Sequence, residues 1–159
     1  MLLRHSNNHQ QYTNSKSVLM ISSGMIRPKK LNNPFADLHY YLNYGFLGLA
    51  TILKDRGYCP QVFHGHFEHP TNFVNNIIRT DIDLTELPIL ISLPSSYAIE
   101  WASEVCRLIK LIRPDIKIIV GGRWVTADDG SWIKEKIPNV DLVVYGLADV
   151  SIESLLNIN

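Results

Sequence analysis

The chain has 159 residues, 46% of them hydrophobic and 19% charged, and its 15 basic and 15 acidic side chains cancel. This composition predicts a globular chain with a real core, and it excludes the broad positive field on which duplex nucleic-acid binding depends. No apolar run approaches the ~20 residues that cross a bilayer, and residues 1–17 lack the apolar segment of a secretory signal. We therefore expect a disordered polar tail over 1–17, a single domain over 18–159, a cytoplasmic location, and binding to neither nucleic acid nor membrane.

Short runs of β-branched residues alternate with longer stretches that carry apolar residues at spacings of three and four, as is typical of βαβ units. The first strand is predicted at Val18–Ser22. After a long connection, a helix is predicted at Asn43–Arg56 and a second strand at Gln61–His64. A short helix at Asn72–Arg79 and a loop at Thr80–Glu86 follow.

The second half of the chain continues the alternation. Pro88–Leu93 is apolar enough to be a strand buried on both faces, and Tyr97–Ile112 has the clearest helical stripe, which Pro114 ends. The remaining predicted elements are strands at Ile116–Val120 and Val140–Val144 and short helices at Asp128–Lys136 and Val150–Leu156.

Five strands alternating with helices predict an α/β fold, a Rossmann-like (flavodoxin-like) three-layer sandwich with a five-stranded parallel sheet. In such sheets ligands bind beyond the carboxyl ends of the strands, at the switch point of the strand order. The loops that follow the predicted strands are Ser23–Met25, His64–His69, Pro94–Ser96, Gly121–Arg123 and Tyr145–Ala148.

Two adjacent glycines, Gly121 and Gly122, end the fourth predicted strand in the stretch IKIIVGGRWVT. Consecutive glycines permit positive φ and a close approach of ligand or backbone. They form neither a G-x-G-x-x-G nor a Walker A loop, so pyrophosphate or triphosphate binding is not indicated. Ligand contact and a purely structural turn both remain open. Trp124, which follows, is expected at the mouth of a pocket.

Three hydroxyls lie at the junction between the third strand and the next helix, in the stretch SLPSS. A cap at the amino end of the helix that begins near Tyr97 would account for the presence of either Ser95 or Ser96. Ser92 lies inside the strand end, where capping does not explain it, and is a candidate for ligand contact.

The stretch HGHFEH follows the second strand. In an extended segment His64 and His66 point to the same side, which suits a shared cation such as zinc. No acidic or cysteine cluster completes such a site, so these histidines are secondary metal candidates. Cys59 and Cys106 have no metal-ligand spacing, and no nucleophile elbow is present. We expect no self-contained active site.

Three segments carry a resemblance to a known family: NYGFLGLATILKDRGY, ILISLPSSYAIEWASEVCRLIKLIRPDIKIIVGGRWVT and VDLVVYGLADVSIESLL. They resemble the N-terminal cobalamin-binding domain of cobalamin-dependent radical S-adenosylmethionine enzymes, and the similarity covers nearly everything after Ser17. The resemblance implies a sheet that holds cobalamin over the carboxyl ends of its strands, with the nucleotide tail in a cleft where backbone without side chains leaves room. The implied cofactor-binding residues are Ser92, Pro94, Ser95, Gly121, Gly122, Arg123, Tyr145 and Gly146.

The sequence departs from the family pattern at three points. The D-x-H-x-x-G motif, whose histidine ligates cobalt, is replaced by SSGMI after the first strand, which argues against a histidine-ligated cobalt rather than against cobalamin. The glycine-glutamate-rich ending after the last strand reads GLAD. The sequence also has no C-x-x-x-C-x-x-C motif, so we expect no iron–sulfur cluster and no radical chemistry by this chain alone.

Two hypotheses follow. In the first, the chain is a stand-alone module that binds a corrinoid, and thus a metal through its cobalt, and serves a separately encoded radical S-adenosylmethionine enzyme. In the second, it is a degenerate domain without cofactor that acts as a protein-interaction or accessory subunit in a natural-product or peptide-modification pathway. A third alternative is a small enzyme that uses the same cleft for another substrate, and the absence of an evident acid–base pair in the sequence argues against it.

Overall fold

The computed structural model describes residues 16–26, 43–125, 130–146 and 148–158. Residues 1–15 of the tail predicted over 1–17 lie outside these ranges, and Ser17 already belongs to the first strand. Asp128 and Asp129, which were predicted to begin a helix, also lie outside them. The strands are β1 (Ser17–Ser22), β2 (Cys59–His64), β3 (Ile89–Ser92), β4 (Ile118–Gly121) and β5 (Leu142–Val143). The α-helices are α1 (Tyr44–Asp55), α2 (Pro70–Asn72), α3 (Arg79–Leu84), α4 (Ile99–Ile112), α5 (Ser131–Lys136) and α6 (Ile152–Leu156).

All five strands are parallel and form one sheet in the order β2-β1-β3-β4-β5. This is the flavodoxin-like order, so the predicted fold class is confirmed. The order reverses between β1 and β3, which makes the carboxyl ends of these two strands the switch point where such folds bind ligands. None of the helices in the described part of the chain is long and apolar enough to span a membrane.

Two hydrophobic cores cover the two faces of the sheet. Along β1 successive side chains alternate between them, as the period of a strand requires. Leu19 and Ile21 join the larger core beneath α3, α4 and α5, whereas Val18 and Met20 join the smaller core beneath α1 and α6. The larger core contains Trp101, which is fully buried and packs edge-on against Phe73 with ring centroids 5.0 Å apart.

The segment between β2 and β3 differs from the prediction. The predicted helix at Asn72–Arg79 is present as α2 followed by a π-helical turn over Phe73–Ile77. The predicted loop at Thr80–Glu86 is wrong over its first residues, because α3 continues the helical path through Leu84.

Burial and a distant arginine explain why this polar segment is helical. Ile78 and Ile82 lie one turn apart and are both fully buried in the larger core. The Arg113 guanidinium, from the end of α4, donates to the carbonyl oxygens of Ile82 and Thr85, each at 3.3 Å, near the carboxyl end of α3. A contact between residues so far apart in sequence is not visible in local propensity.

The start of α4 also differs from expectation. A 3-10 turn over Ser96–Ala98 precedes it, with Ser95 at the N-terminal cap position. Neither serine hydroxyl makes a capping hydrogen bond. Instead, the carbonyl oxygen of Ser95 accepts from the Ala98 amide at 3.1 Å. The capping interpretation of Ser95 or Ser96 is therefore wrong, because backbone groups close this turn.

Candidate functional site

A row of four residues lies across the carboxyl edge of the sheet. The strand register pairs Ser22 with His64 of β2 and with Ser92 of β3, and pairs Ser92 with Gly121 of β4. Because side chains alternate along a strand and Met20 faces the smaller core, Ser22 and its partners face the side of α1 and α6. The row therefore stands on one face of the sheet, at the switch point.

A cavity of about 660 Å³, called the cleft below, opens at this row. Its mouth is polar, with the hydroxyls and imidazoles of the strand ends. Its floor runs between the sheet and the two helices of the smaller core. The apolar side chains along the floor are Phe46, Leu49, Leu90, Ile119, Ile152 and Leu155.

Asn43 joins the first turn of α1 to the strand ends. Its side-chain oxygen accepts from the Phe46 amide at 3.2 Å and so caps the helix. Its side-chain nitrogen donates to the Ser92 hydroxyl at 2.9 Å and to the Ser22 hydroxyl at 3.3 Å. One side chain thus fixes where α1 begins and the distance between β1 and β3 at the mouth. The sequence signalled a helix start here, but not the two long-range hydrogen bonds.

The glycine pair after β4 has a structural role at its second position. Gly122 has φ +111°, and a Cβ there would lie 2.7 Å from the Leu93 amide nitrogen and 2.9 Å from the Ser92 hydroxyl oxygen. The space beside Gly122 is therefore occupied by β3 itself, so the implied reason for this glycine, room for a ligand tail, does not hold. A Cβ on Gly121 would meet only Val144, with the carbonyl oxygen at 3.3 Å.

The loops after β1 and β2 are tied together by backbone hydrogen bonds. The Gly65 amide donates to the Ser22 carbonyl at 2.9 Å, and the Met25 amide donates to the His66 carbonyl at 2.8 Å. Gly65 lies against the Trp101 indole so closely that a Cβ would overlap the ring. These contacts hold the histidine loop firmly against the cleft.

The two histidines of that loop are stacked. The rings of His64 and His66 lie with centroids 5.0 Å apart and planes 19° from parallel. His66 has φ +43°, a left-handed conformation that no other described non-glycine residue adopts. Burial, and secondarily the neighbouring His66 ring, lower the pKa of His64.

Two polar atoms on the wall of the cleft lack hydrogen-bond partners within the described residues: Ser23 Oγ and His64 Nε2, both buried. An unsatisfied buried polar atom costs about 1–3 kcal/mol. Both atoms belong to residues that line the cleft.

Most of the predicted site residues come together at the cleft. Its lining includes Ser92, Pro94, Ser95, Gly121, Gly122, Arg123 and Gly146, together with His64 and His66. Tyr145 is 58% exposed and lies outside the lining. Trp124 is exposed and does not line the cleft, so its expected position at the pocket mouth is wrong.

Few side chains with titratable groups line the described part of the cleft. Apart from the histidines, the basic and acidic side chains among its described lining residues are Arg123 and Asp149. Burial raises the pKa of the Cys106 thiol to about 12, so this cysteine remains protonated and unreactive. Within the described ranges, no three histidine, cysteine or acidic side chains are grouped to hold a metal ion.

Comparisons with known proteins bear on this site. The model of the B12 binding domain family matches residues 38–156. No curated protein matches the chain. A novel cobalamin-binding protein from Desulfitobacterium hafniense DCB-2 superposes with a TM-score of 0.52 at 13% identity, over 92% of this chain and 61% of its own. The chain thus spans about three fifths of that protein.

Two further solved structures are similar more distantly. A putative pilus assembly-related protein from Burkholderia pseudomallei K96243 has a TM-score of 0.48 at 11% identity, over 92% of both chains. The Salmonella typhimurium RcsB response regulator has a TM-score of 0.46 at 16% identity, over 89% of this chain and 57% of its own. At such identities these likenesses concern the fold alone. Since the family model spans most of the chain, from residue 38 to residue 156, the chain belongs to the B12 binding domain family.

Proposed function

We propose that the chain binds a corrinoid at the carboxyl edge of its sheet, with the nucleotide arm in the cleft and the macrocycle over the row of strand ends. The observation that carries this proposal is the shape of the cleft, which has a polar mouth at the switch point and an apolar floor beneath α1 and α6. Membership in the B12 binding domain family supports it.

The residues present fit such a ligand. A volume of about 660 Å³ is within the range of about 300–1,000 Å³ that small-molecule sites occupy. A corrinoid exceeds a drug-sized ligand, so the cleft would enclose one part of it. The flat base of a nucleotide arm suits the apolar floor. The Ser95 hydroxyl at the mouth suits the amide groups around the macrocycle. When bound, the corrinoid would supply a cobalt centre that can carry an alkyl group.

The predicted site residues take specific roles in this proposal. Ser92 and Gly121 would lie along the nucleotide arm, with Gly122 shaping the turn beside it. Gly146 would border the arm, and the exposed Tyr145 ring would cover it from outside. Pro94, Ser95 and Arg123 line the mouth, where they would face the periphery of the macrocycle.

A more specific proposal is that the chain, with its corrinoid bound, serves a separately encoded radical S-adenosylmethionine enzyme. The resemblance in sequence supports it, and so does the rim of the cleft. Tyr44, Phe67 and Tyr97 line the mouth with 77%, 40% and 51% of their surface exposed. Exposed aromatic groups around a binding site are typical of surfaces that a partner covers.

Gel filtration with hydroxocobalamin tests the binding proposal. After mixing at micromolar concentration, we expect the protein peak to carry the cofactor with a shifted visible spectrum. A colourless protein peak would overturn the proposal. Co-purification of that colourless protein with a neighbouring gene product would then support the accessory-subunit hypothesis. The observation that favours this hypothesis is that contacts within the fold fully explain Gly122, without a ligand.

A further inference from the structure

Asn43 determines the orientation of two hydroxyls at the mouth of the cleft. Its side-chain nitrogen donates to the Ser92 hydroxyl at 2.9 Å and to the Ser22 hydroxyl at 3.3 Å. The backbone N–H of Phe46 fixes which way the amide group faces, because this group can only donate and its nitrogen lies 3.2 Å from the side-chain oxygen of Asn43. The amide nitrogen therefore faces the sheet, and it carries two hydrogens, one for each serine.

These two hydrogen bonds decide which role the hydroxyls play toward a ligand. A serine hydroxyl has one hydrogen to donate and two lone pairs that accept. Because Ser22 and Ser92 each accept from Asn43, each keeps its own hydrogen for another acceptor, and none of the described residues supplies one. The ends of β1 and β3 therefore offer two hydrogen-bond donors on the face of the sheet that lines the cleft.

The cleft is the side from which a ligand can approach both hydroxyls. Ser22 and Ser92 line it, although only 3% and 6% of their surface is exposed. Gly121, the register partner of Ser92, and Gly45 in the first turn of α1 have no side chains that could cover the hydroxyls. Such a narrow opening admits a slender ligand group but not a broad plane. The contact therefore suits the arm of a corrinoid and not its macrocycle.

We propose that Asn43 is a positioning residue for corrinoid binding, because it holds the Ser22 and Ser92 hydroxyls as donors toward a ligand group that carries hydrogen-bond acceptors. This inference rests on the proposed function, in which the nucleotide arm lies along these strand ends. The phosphodiester oxygens of such an arm are acceptors of this kind. Asn43 acts on the ligand only through the two serines.

Asn43→Asp separates this role from a purely structural one. A carboxylate still accepts from the Phe46 amide, and aspartate caps helices about as well as asparagine does. It can also still bond both serines, but only as an acceptor, so the hydroxyl hydrogens turn toward the carboxylate and away from the cleft. We expect an unchanged midpoint of urea denaturation. The Kd for hydroxocobalamin, measured by visible-absorption titration, should rise about 10-fold, as the loss of one or two hydrogen bonds predicts.

The double substitution of Ser22→Ala and Ser92→Ala is the control. It removes both hydroxyls, so we expect a similar rise in the Kd for hydroxocobalamin. In this background Asn43→Asp should change the Kd by less than about twofold, because the groups through which Asn43 acts are gone. Repulsion between the new carboxylate and the ligand would instead persist without the serines.

The outcomes separate the two proposals. An unchanged Kd in Asn43→Asp, or a rise in Kd that persists in the background without the hydroxyls, would overturn the role of Asn43 and leave corrinoid binding intact. Failure of the unaltered protein to bind hydroxocobalamin would overturn both. If Asn43→Asp lowers the midpoint of urea denaturation, the serine substitutions decide: a raised Kd at unaltered stability supports the proposal, and an unchanged Kd overturns it.

Discussion

Gly122→Ala is expected to destabilise the fold by about 2–5 kcal/mol, a large share of the stability of a domain, which is about 5–15 kcal/mol. The substituted residue would have to keep φ +111°, where side chains are strained. Its Cβ would also lie 2.7 Å from the backbone nitrogen of Leu93, which cannot move without disturbing β3. The midpoint of urea denaturation measures the loss.

Gly121→Ala is the matched control for this substitution. The two glycines are adjacent, but a Cβ on Gly121 would meet only the Val144 carbonyl oxygen, at 3.3 Å, and Gly121 has no positive φ. A small shift of β5 relieves that contact, so we expect a cost of about 1 kcal/mol or less. If Gly122→Ala left the stability unaltered but abolished corrinoid binding, the structural role of Gly122 would be contradicted. The result would instead indicate that Gly122 contacts the ligand directly.

Gly45→Leu is expected to weaken corrinoid binding without weakening the fold. Gly45 lies in the first turn of α1 and lines the cleft. Among the described residues, a Cβ there would meet only the Asn43 side chain, at 3.9 Å. Leucine is a better helix former than glycine by about 0.5–1 kcal/mol. Its side chain would compete with the ligand for space, at a cost of about 1–3 kcal/mol, or roughly 5- to 150-fold in Kd. A visible-absorption titration with hydroxocobalamin measures this change.

Gly48→Leu separates loss of space in the cleft from effects on the helix. Gly48 lies one turn further along α1 and is not among the described residues that line the cleft. A Cβ there would meet none of the described residues within 4 Å. We expect a similar gain in helix stability and an unchanged Kd. Equal Kd values for the two variants would show that the bound ligand does not reach the first turn of α1, which contradicts the proposed path of the nucleotide arm.

The architecture was largely predictable because it depends on local patterns. Runs such as Val18–Ser22 and Pro88–Leu93 are apolar and β-branched, and in a parallel sheet buried on both faces that composition marks a strand. The edge of the sheet that carries the site followed from the same reasoning, since the carboxyl ends of parallel strands meet at one edge. The loops chosen on that basis contain Ser23, His64 and Gly146, all of which line the cleft.

The parts that could not be predicted depend on contacts between distant residues. The sequence predicts a helix from Asn43, and only the fold shows that this residue caps α1 and brings its amide nitrogen to Ser92. The carbonyls at the end of α3 need Arg113, which comes from another helix. The apolar floor of the cleft combines side chains such as Phe46 and Ile152, which are ordinary core positions in the sequence pattern and become binding residues only where α1 and α6 meet the sheet.

The glycine pair shows how the structure changed one interpretation. The pattern of two glycines after a buried strand fits both a ligand contact and a tight turn. The distances at Gly122 assign that residue to the turn, because β3 occupies the space where its side chain would be. The case for a ligand now depends on the cleft itself and on membership in the B12 binding domain family.

The position of cobalt in crystals grown with hydroxocobalamin tests the central claim most directly, because the anomalous scattering of the metal locates it without reference to the protein. The account predicts one cobalt peak above the carboxyl edge of the sheet, beside the row that contains His64 and Ser22, with density for the nucleotide arm between the sheet and α1. A cobalt peak on another surface of the molecule, or bound cofactor with an empty cleft, would contradict it.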